Sequence, residues 1–527
     1  MKAKSLFYNT VIHTQADGLA VNSMAVSKNR IVAVGNNLQH DPDFKTYDRV
    51  DLKGKTVVPG FVDAHTHFYY FAMALGKVDL DGLDSVEKCL SRIRKFTSGL
   101  SKNRWVLGGG YSPDRFRVRM EPDRYMLDRV TGGRPAFMFS KDQHTAWVNS
   151  RALQLAGVTR RTPDPPGGKI DRLANGEPSG ILRETAYQLV YHKIPPPSRY
   201  DVNRFYRQAV QYAYTRGVTG VHSFDGPEGF IYFSGLAEKG TVGLRINYYF
   251  PVNMLPQIRK TCVRYGMGTD FFRLAGVKVF SDGSLGSQSA LCFNRYIGSR
   301  DNYGLEVTSA KELAGIINSA GKLGFPCAIH AIGDRAVANV LDAVENSPSP
   351  DFGARHRIEH LQLIRRKDVA RVKRLGVIAS MQPSHCPSDI YLIRRYWGKR
   401  GANAFIFRTL IDRSVDLAFG SDVPIEPMNP IEGIAAAVRR ARKGSRDTLY
   451  PEQRISAAEA LYRFTVGPAV AVGQQHCRGY LLPGYPADFV LLSQDITKVA
   501  PSRIYDTRVL ATVLDGKVKY RSRTVDF

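Results

Sequence analysis

Between about residue 57 and residue 468 the chain alternates short apolar, β-branched runs with amphipathic stretches. Runs of the first kind fall at 57–63, 217–223, 243–250, 274–281, 325–331, 356–361, 377–382 and 415–421. Ser309 to Leu323 and Arg365 to Leu375 show the spacing of helices that bury one face. Near-continuous apolar strands separated by helices are the pattern of parallel strands covered on both sides. Eight of them predict an α/β fold, a (β/α)8 TIM barrel. An open doubly wound sheet is the alternative, although no Gly-x-Gly-x-x-Gly opens a helix after the first strand.

The two ends have another texture. Phe7 to Thr14, Ala20 to Val26 and Arg30 to Val34 read as short strands, with Asp17-Gly18 as a hairpin turn. Gly484 to Leu492 reads as a turn into a strand, and Thr507 to Leu514 with Lys517 to Tyr520 as a hairpin around Asp515-Gly516. These predict one composite β-sandwich built from 1–56 and 470–527, which leaves 57–74 and 206–469 for the barrel. The gap between the first two strands is too long for one helix and its loops. Residues 75–205 are therefore expected to be an inserted domain, with a helix at 85–97, a strand at 135–140, a helix from Asn149 to Gly157 and a hairpin at Asn175-Gly176.

Composition narrows the class only a little. No apolar run approaches the roughly 20 residues of a membrane span, and the start, Met1 to Tyr8, lacks a signal peptide's apolar stretch. Six cysteines in 527 residues, without Cys-x-x-Cys, give no disulfide framework, so a cytoplasmic location is expected. The net charge of +26 is unusual, but clusters such as Arg439-Arg440-Ala441-Arg442-Lys443 do not interleave with aromatics. That argues against a nucleic-acid groove and for solvated helix faces.

In such a barrel, chemistry gathers at the C-terminal ends of the strands. Those ends supply His65 and His67 on the first, Lys278 and Asp282 on the fourth, His330 on the fifth, His360 on the sixth and Asp422 on the eighth. In a strand, His65 and His67 share a face. Four histidines, an aspartate and a lysine make a nitrogen and oxygen donor set suited to zinc or a similar divalent ion. Singly, each has an ordinary structural reading: a hydrogen-bonded core histidine for His330 or His360, a turn residue for Asp422, an ion pair with Asp282 for Lys278. Their coincidence at strand ends is what those readings explain poorly.

Several motifs also carry a resemblance. Pro59-Gly60-Phe61-Val62-Asp63-Ala64-His65-Thr66-His67 resembles the opening metal motif of the amidohydrolase superfamily, Gly420-Ser421-Asp422 its closing Gly-Ser-Asp, and Pro486-Ala487-Asp488 its C-terminal Pro-Ala-Asp. The finer match is to amidohydrolase family 3, the group of N-substituted formamide deformylases and related metal-dependent hydrolases. It is carried by His144-Thr145-Ala146-Trp147-Val148-Asn149-Ser150, Gly180-Ile181-Leu182-Arg183-Glu184, Asp282-Gly283-Ser284-Leu285-Gly286-Ser287, His330-Ala331-Ile332-Gly333-Asp334 and Ser380-Met381-Gln382-Pro383.

The resemblance implies an inserted domain roofing the active site and two zinc ions. The first would sit on His65, His67 and Asp422 and the second on His330 and His360, with Lys278 bridging them as an N6-carboxylated (carbamate) side chain. It implies hydrolysis of a C–N bond in a small amide-like molecule, N-substituted formamides among them, through a metal-activated hydroxide. Asp422 would serve as general base and then acid. Substrate contacts are expected from His144, Trp147 and Arg183 in the insertion and from His385, Asp334 and His222 in the barrel. Two alternatives stay open: a deaminase or cyclic-amide hydrolase on the same barrel, and a catalytically silent barrel binding an anionic partner. A homodimer is also left open.

Overall fold

In the computed structural model, which describes residues 4–16, 20–101, 104–118, 120–347 and 353–523, eight parallel strands follow one another in chain order. They are β1 (Phe61–Thr66), β2 (Val218–Ser223), β3 (Arg245–Pro251), β4 (Phe272–Phe280), β5 (Cys327–Ala331), β6 (Arg357–His360), β7 (Ile378–Met381) and β8 (Leu417–Phe419). No regular ladder joins β8 to β1. The seam is closed just past their ends, where Asp422 N donates to His65 O at 2.8 Å and His67 N to Val423 O at 2.9 Å. The expected barrel is present, and its closure is made by residues of the candidate site. Helices between the strands follow the amphipathic stretches; Ala310–Gly321 opens on a reciprocal capping box of Ser309 and Glu312.

The expected first strand, 57–63, is in fact two. Thr56–Pro59 belongs to another sheet, antiparallel to Phe489–Leu492 and parallel to Val11–His13. The chain changes sheets at Gly60, whose amide donates to Asp488 O on one side while Phe61 N donates to Gly217 O on the other. A Cβ at Gly60 would lie 2.3 Å from Thr219 Oγ1, so the crossing requires glycine. Both halves are buried and apolar, which is why the break is invisible in the hydrophobic pattern.

Strands from the two ends of the chain meet. One sheet runs Lys517–Arg521, Val509–Leu514, Phe489–Leu492, Thr56–Pro59, Val11–His13 and Ala20–Val21, and a second runs Arg30–Gly35, Ser23–Ser27, Lys4–Tyr8 and Asp48–Asp51. Phe7, Met24, Phe489 and Leu491 share a buried core between them. The Asp17-Gly18 turn lies outside the described residues.

The chain divides into two compact units, Met1–Tyr70 with Val210–Phe527, and Phe71–Ala209. The second unit has its own six-stranded sheet, flanked by helices Val86–Thr97, Arg124–Thr131 and Ser150–Ala156. Gly168–Arg172 and Pro178–Glu184 pair antiparallel across the Asn175-Gly176 turn, with Gly176 at φ 82°. Among the described residues no helix is long and apolar enough to cross a membrane.

Candidate metal centre

At the C-terminal ends of the barrel strands lies a cavity of about 640 Å³, and His65, His67, Lys278, His330, His360 and Asp422 all line it. Each imidazole is held by one ring nitrogen. His65 Nδ1 lies 2.6 Å from Glu359 Oε2, His67 Nδ1 3.2 Å from Phe224 O and His360 Nδ1 2.8 Å from Gln382 Oε1. His330 uses the other nitrogen, Nε2, which is 3.0 Å from Gly283 O. An oxygen acceptor requires the N–H at that nitrogen, so each neutral ring keeps its lone pair on the other.

Two of those lone-pair nitrogens converge: His65 Nε2 and His67 Nε2 each lie 3.5 Å from Asp422 Oδ1. One ligand atom from each of His65, His360 and Asp422 lies within 4.8 Å of the others. The His360 ring is 4.9 Å from that of His65 and 4.5 Å from that of His330. It lies close to both rings, slightly nearer that of His330.

Burial, with Lys278 as the next cause, holds the His67 imidazole down to about 4 and that of His330 to about 3. Burial likewise keeps His65 and His360 well below their ordinary value. All four are neutral at pH 7, the form that ligates a cation. Burial also raises the Asp422 carboxyl, against the opposing pull of Lys278.

Lys278 Nζ is buried and has no hydrogen-bond partner. It sits 4.7 Å from the Phe224 ring centre and 5.0 Å from that of Phe280. The ion pair with Asp282 does not form, because that carboxylate accepts from Ile332 N, Gly333 N and Leu291 N at 3.0, 2.8 and 2.9 Å. A buried amine without a partner is costly. Beside it, the imidazole nitrogens and the Asp422 carboxylate make a donor set that fits a divalent cation, which the amine joins only without its proton. His360 and Asp422 also take positive φ, 71° and 65°, a strain of about 1–3 kcal/mol each that clusters at functional sites.

Sequence reasoning missed the support beneath these rings. In β6, Arg357 and Glu359 alternate with apolar Ile358 and both are fully buried. Arg357 is ion-paired with Glu359, donates to Ala64 O and Ser380 Oγ at 2.6 Å each, and meets His222 Nδ1 at 2.8 Å. A charged pair two residues apart, flanking Ile358 and leading into His360, was the available signal. Asp63 was missed as well; it accepts from Ser421 N at 2.8 Å and His65 N at 3.2 Å, tying β1 to the chain beyond β8.

The expected substrate residues fare differently. His385 lines the cavity, with Nε2 3.9 Å from Asp422 Oδ2 and its ring stacked on His360. His222 is buried against Arg357, below the cavity wall. Asp334 opens a helix and accepts from Phe293 N at 3.0 Å instead of lining the cavity. The others belong to the second unit. Trp147 is a core residue there, fully buried, its indole N–H donating to Asp123 O at 2.7 Å. It offers no free aromatic wall, because its strand turns that side inward. His144 is exposed and paired with Glu184 at 2.9 Å, and Arg183 bonds Asp171 at 2.8 Å.

Comparison with known proteins places this geometry. The sequence profile of the amidohydrolase family matches residues 48–520. The putative amidohydrolase YtcJ of Bacillus subtilis (strain 168) is 32% identical, over 90% of this chain and 90% of its own. N-substituted formamide deformylase of Arthrobacter pascens is 26% identical, over 94% of each chain. The crystal structure of an uncharacterized metal-dependent hydrolase from Pyrococcus horikoshii OT3 matches with a TM-score of 0.78 and 28% identity, covering 94% of this chain and 99% of that one. A match that runs nearly from end to end, on a barrel whose rim gathers metal-competent side chains, settles membership: the chain belongs to the amidohydrolase family.

Proposed function

We propose that the chain hydrolyses the C–N bond of a small amide-like substrate, with N-substituted formamides as the first class to test, and that it works with two zinc ions. The observation that carries this reading is the approach of His65 Nε2 and His67 Nε2 to one oxygen of Asp422 while their Nδ1 atoms are tied to the protein. His65, His67 and Asp422 would hold one ion, His330 and His360 the other, and N6-carboxylated Lys278 would bridge them. Ions held there supply Lewis-acid polarisation of the substrate carbonyl and a water made acidic enough to ionise near neutral pH.

The chain's own residues do the rest. Asp422 Oδ1 faces the two histidines, which leaves Oδ2, turned toward His385, to take the proton released by the attacking water and return it to the departing nitrogen. A carboxyl whose affinity for protons is raised by burial suits that exchange. The unpartnered Lys278 amine is a nucleophile for CO₂ once it sheds its proton, and burial favours that loss.

The test is metal analysis of protein purified without chelators, together with hydrolysis of a panel of formamides, acyl-amino acids, cyclic ureas and aminopurines. About two zinc ions per chain, and amide hydrolysis that falls at least ~100-fold in Asp422→Asn, are expected. A metal-free protein without hydrolysis would favour the silent anion-binding barrel instead. Release of ammonia from aminopurines alone would favour a deaminase.

A further inference from the structure

The net charge of +26 is concentrated where three segments of the barrel unit meet: 292–303 after β4, 391–400 after β7, and 442–454 after the helix Pro430–Arg439. Ten Lys or Arg stand there against three Asp or Glu, where the whole chain has 74 against 48. Direct contacts make the segments one surface. Ile297 N donates to Tyr396 O at 3.0 Å, Arg400 donates to Asn294 O and Arg295 O at 2.8 Å each, and Arg394 pairs with Asp447 at 2.6 Å.

A basic helix face elsewhere is neutralised by its neighbours. In Arg366–Arg374, Arg371 pairs with Asp342 and Glu345, and Arg374 with Glu345. On the loop surface, Arg300, Lys399 and Arg446 are not: Arg300, Lys399 and Arg446 form no ion pair among the described residues, and all three are exposed. Like charges held side by side create a positive field that an anionic partner relieves.

The same surface carries exposed apolar groups. Residues 292–303 fold back on themselves, Cys292 N donating to Tyr303 O at 2.7 Å and Tyr296 N to Asn302 O at 2.8 Å, and Ile297 stands at the turn with 54% exposure. Tyr391 is 63% exposed; Arg395 lies 5.7 Å from its ring centre and 5.3 Å from that of Tyr396. An aliphatic tip cannot stack on a base, and both tyrosines already have a guanidinium against them, which tells against single-stranded nucleic acid. Apolar tips among unpaired Arg and Lys instead match the boundary of an anionic bilayer, where phosphates meet the charges and acyl chains meet the tips.

We infer that this surface docks the chain on the face of a membrane rich in anionic phospholipids, lying on the bilayer without crossing it. Ile297 and Tyr391 enter the interface, and Arg300, Lys399 and Arg446 face the headgroup phosphates.

The test is flotation of the full, metal-loaded chain with vesicles of phosphatidylcholine alone, or of phosphatidylcholine and phosphatidylserine in equal parts. Binding to the mixed vesicles is expected to be at least ~10-fold tighter and to fall as salt is raised. Lys399→Glu with Arg446→Glu should weaken it at least ~10-fold. Lys45→Glu with Lys322→Glu, exposed positions outside the three segments, changes net charge equally and should weaken it far less. Ile297→Ser, which leaves the charge alone, should also loosen the chain from the mixed vesicles. No preference for the mixed vesicles, equal losses in the two charge-reversed pairs, or no effect of Ile297→Ser would overturn the inference. Tighter binding of poly(U) RNA than of the mixed vesicles would overturn it too, and would reassign the surface to nucleic acid.

Discussion

Glu359 Oε2 lies 2.6 Å from His65 Nδ1, and both side chains are buried. The carboxylate fixes the hydrogen on Nδ1 and turns Nε2 toward the cavity, while Arg357 and Ser380 hold the carboxylate in place. Glu359→Gln keeps an oxygen for the ring but leaves the Arg357 charge unpaired. Affinity for a divalent metal should fall about 10–100-fold, and stability by about 3–5 kcal/mol. Chelator competition and thermal melting check the two effects; unchanged metal affinity would remove Glu359 from the site's design.

Lys278 gives a prediction with a definite sign. Burial lowers its amine from 10.5 to about 8, so between these values the unfolded chain binds more protons than the folded one. Stability from this group therefore rises with pH across that window. In chelator-treated protein, Lys278→Met should melt higher than wild type below pH 8, and the gap should close toward pH 10. In metal-loaded wild type, ¹³C-bicarbonate should give a carbamate resonance that Lys278→Met lacks. If the resonance is missing from wild type, the bridge is not a carboxylated lysine.

Closure of the barrel depends on Gly420. A Cβ there would lie 2.4 Å from His65 N, a backbone atom with little room to retreat. Gly420→Ala should cost about 1–3 kcal/mol and reduce bound divalent metal, since it pushes β8 away from β1. Gly235, in the helix Pro227–Glu238, is the matched control: nothing lies within 4 Å of its added Cβ. Gly235→Ala should raise the melting temperature slightly. Identical behaviour of the two variants would contradict this account of the seam.

The two chain ends are joined by His13 and Asp495, 2.9 Å apart. Burial alone would raise the Asp495 carboxyl, but hydrogen bonds from His13 and Thr497 bring it down to about 2. A depressed carboxyl contributes stability above its unfolded value of 3.8 and loses it as pH falls toward 2. Asp495→Ala should melt lower than wild type at pH 6, by the equivalent of about 2 kcal/mol, and the gap should shrink as pH drops below 4. A gap independent of pH would mean that the aspartate acts through packing alone.

Much of the barrel was legible because its signals are local. Runs of apolar residues of strand length, the helical spacing from Ser309 to Leu323 and, in the second unit, Asn175-Gly176 between two short strands each act over a short stretch of chain. His65, His67, Lys278, His330, His360 and Asp422 were nameable for a similar reason: each ends a run or sits inside a short motif. Their roles remain the proposal made above. Trp147 shows the limit of motif reading, since nothing nearby in sequence says which face of its strand is the core of the second unit.

By itself the sequence determined the parallel barrel, the β-rich ends and the identity of the side chains at the strand termini, because hydrophobic period and turn chemistry are properties of neighbouring residues. Folding in three dimensions was needed to bring Glu359 against a ring 294 positions away, to divide one apolar run between two sheets at Gly60, and to set the His360 ring within 5 Å of both His65 and His330. Those facts depend on distances across the barrel, which are set by how eight strands pack and close rather than by any local pattern.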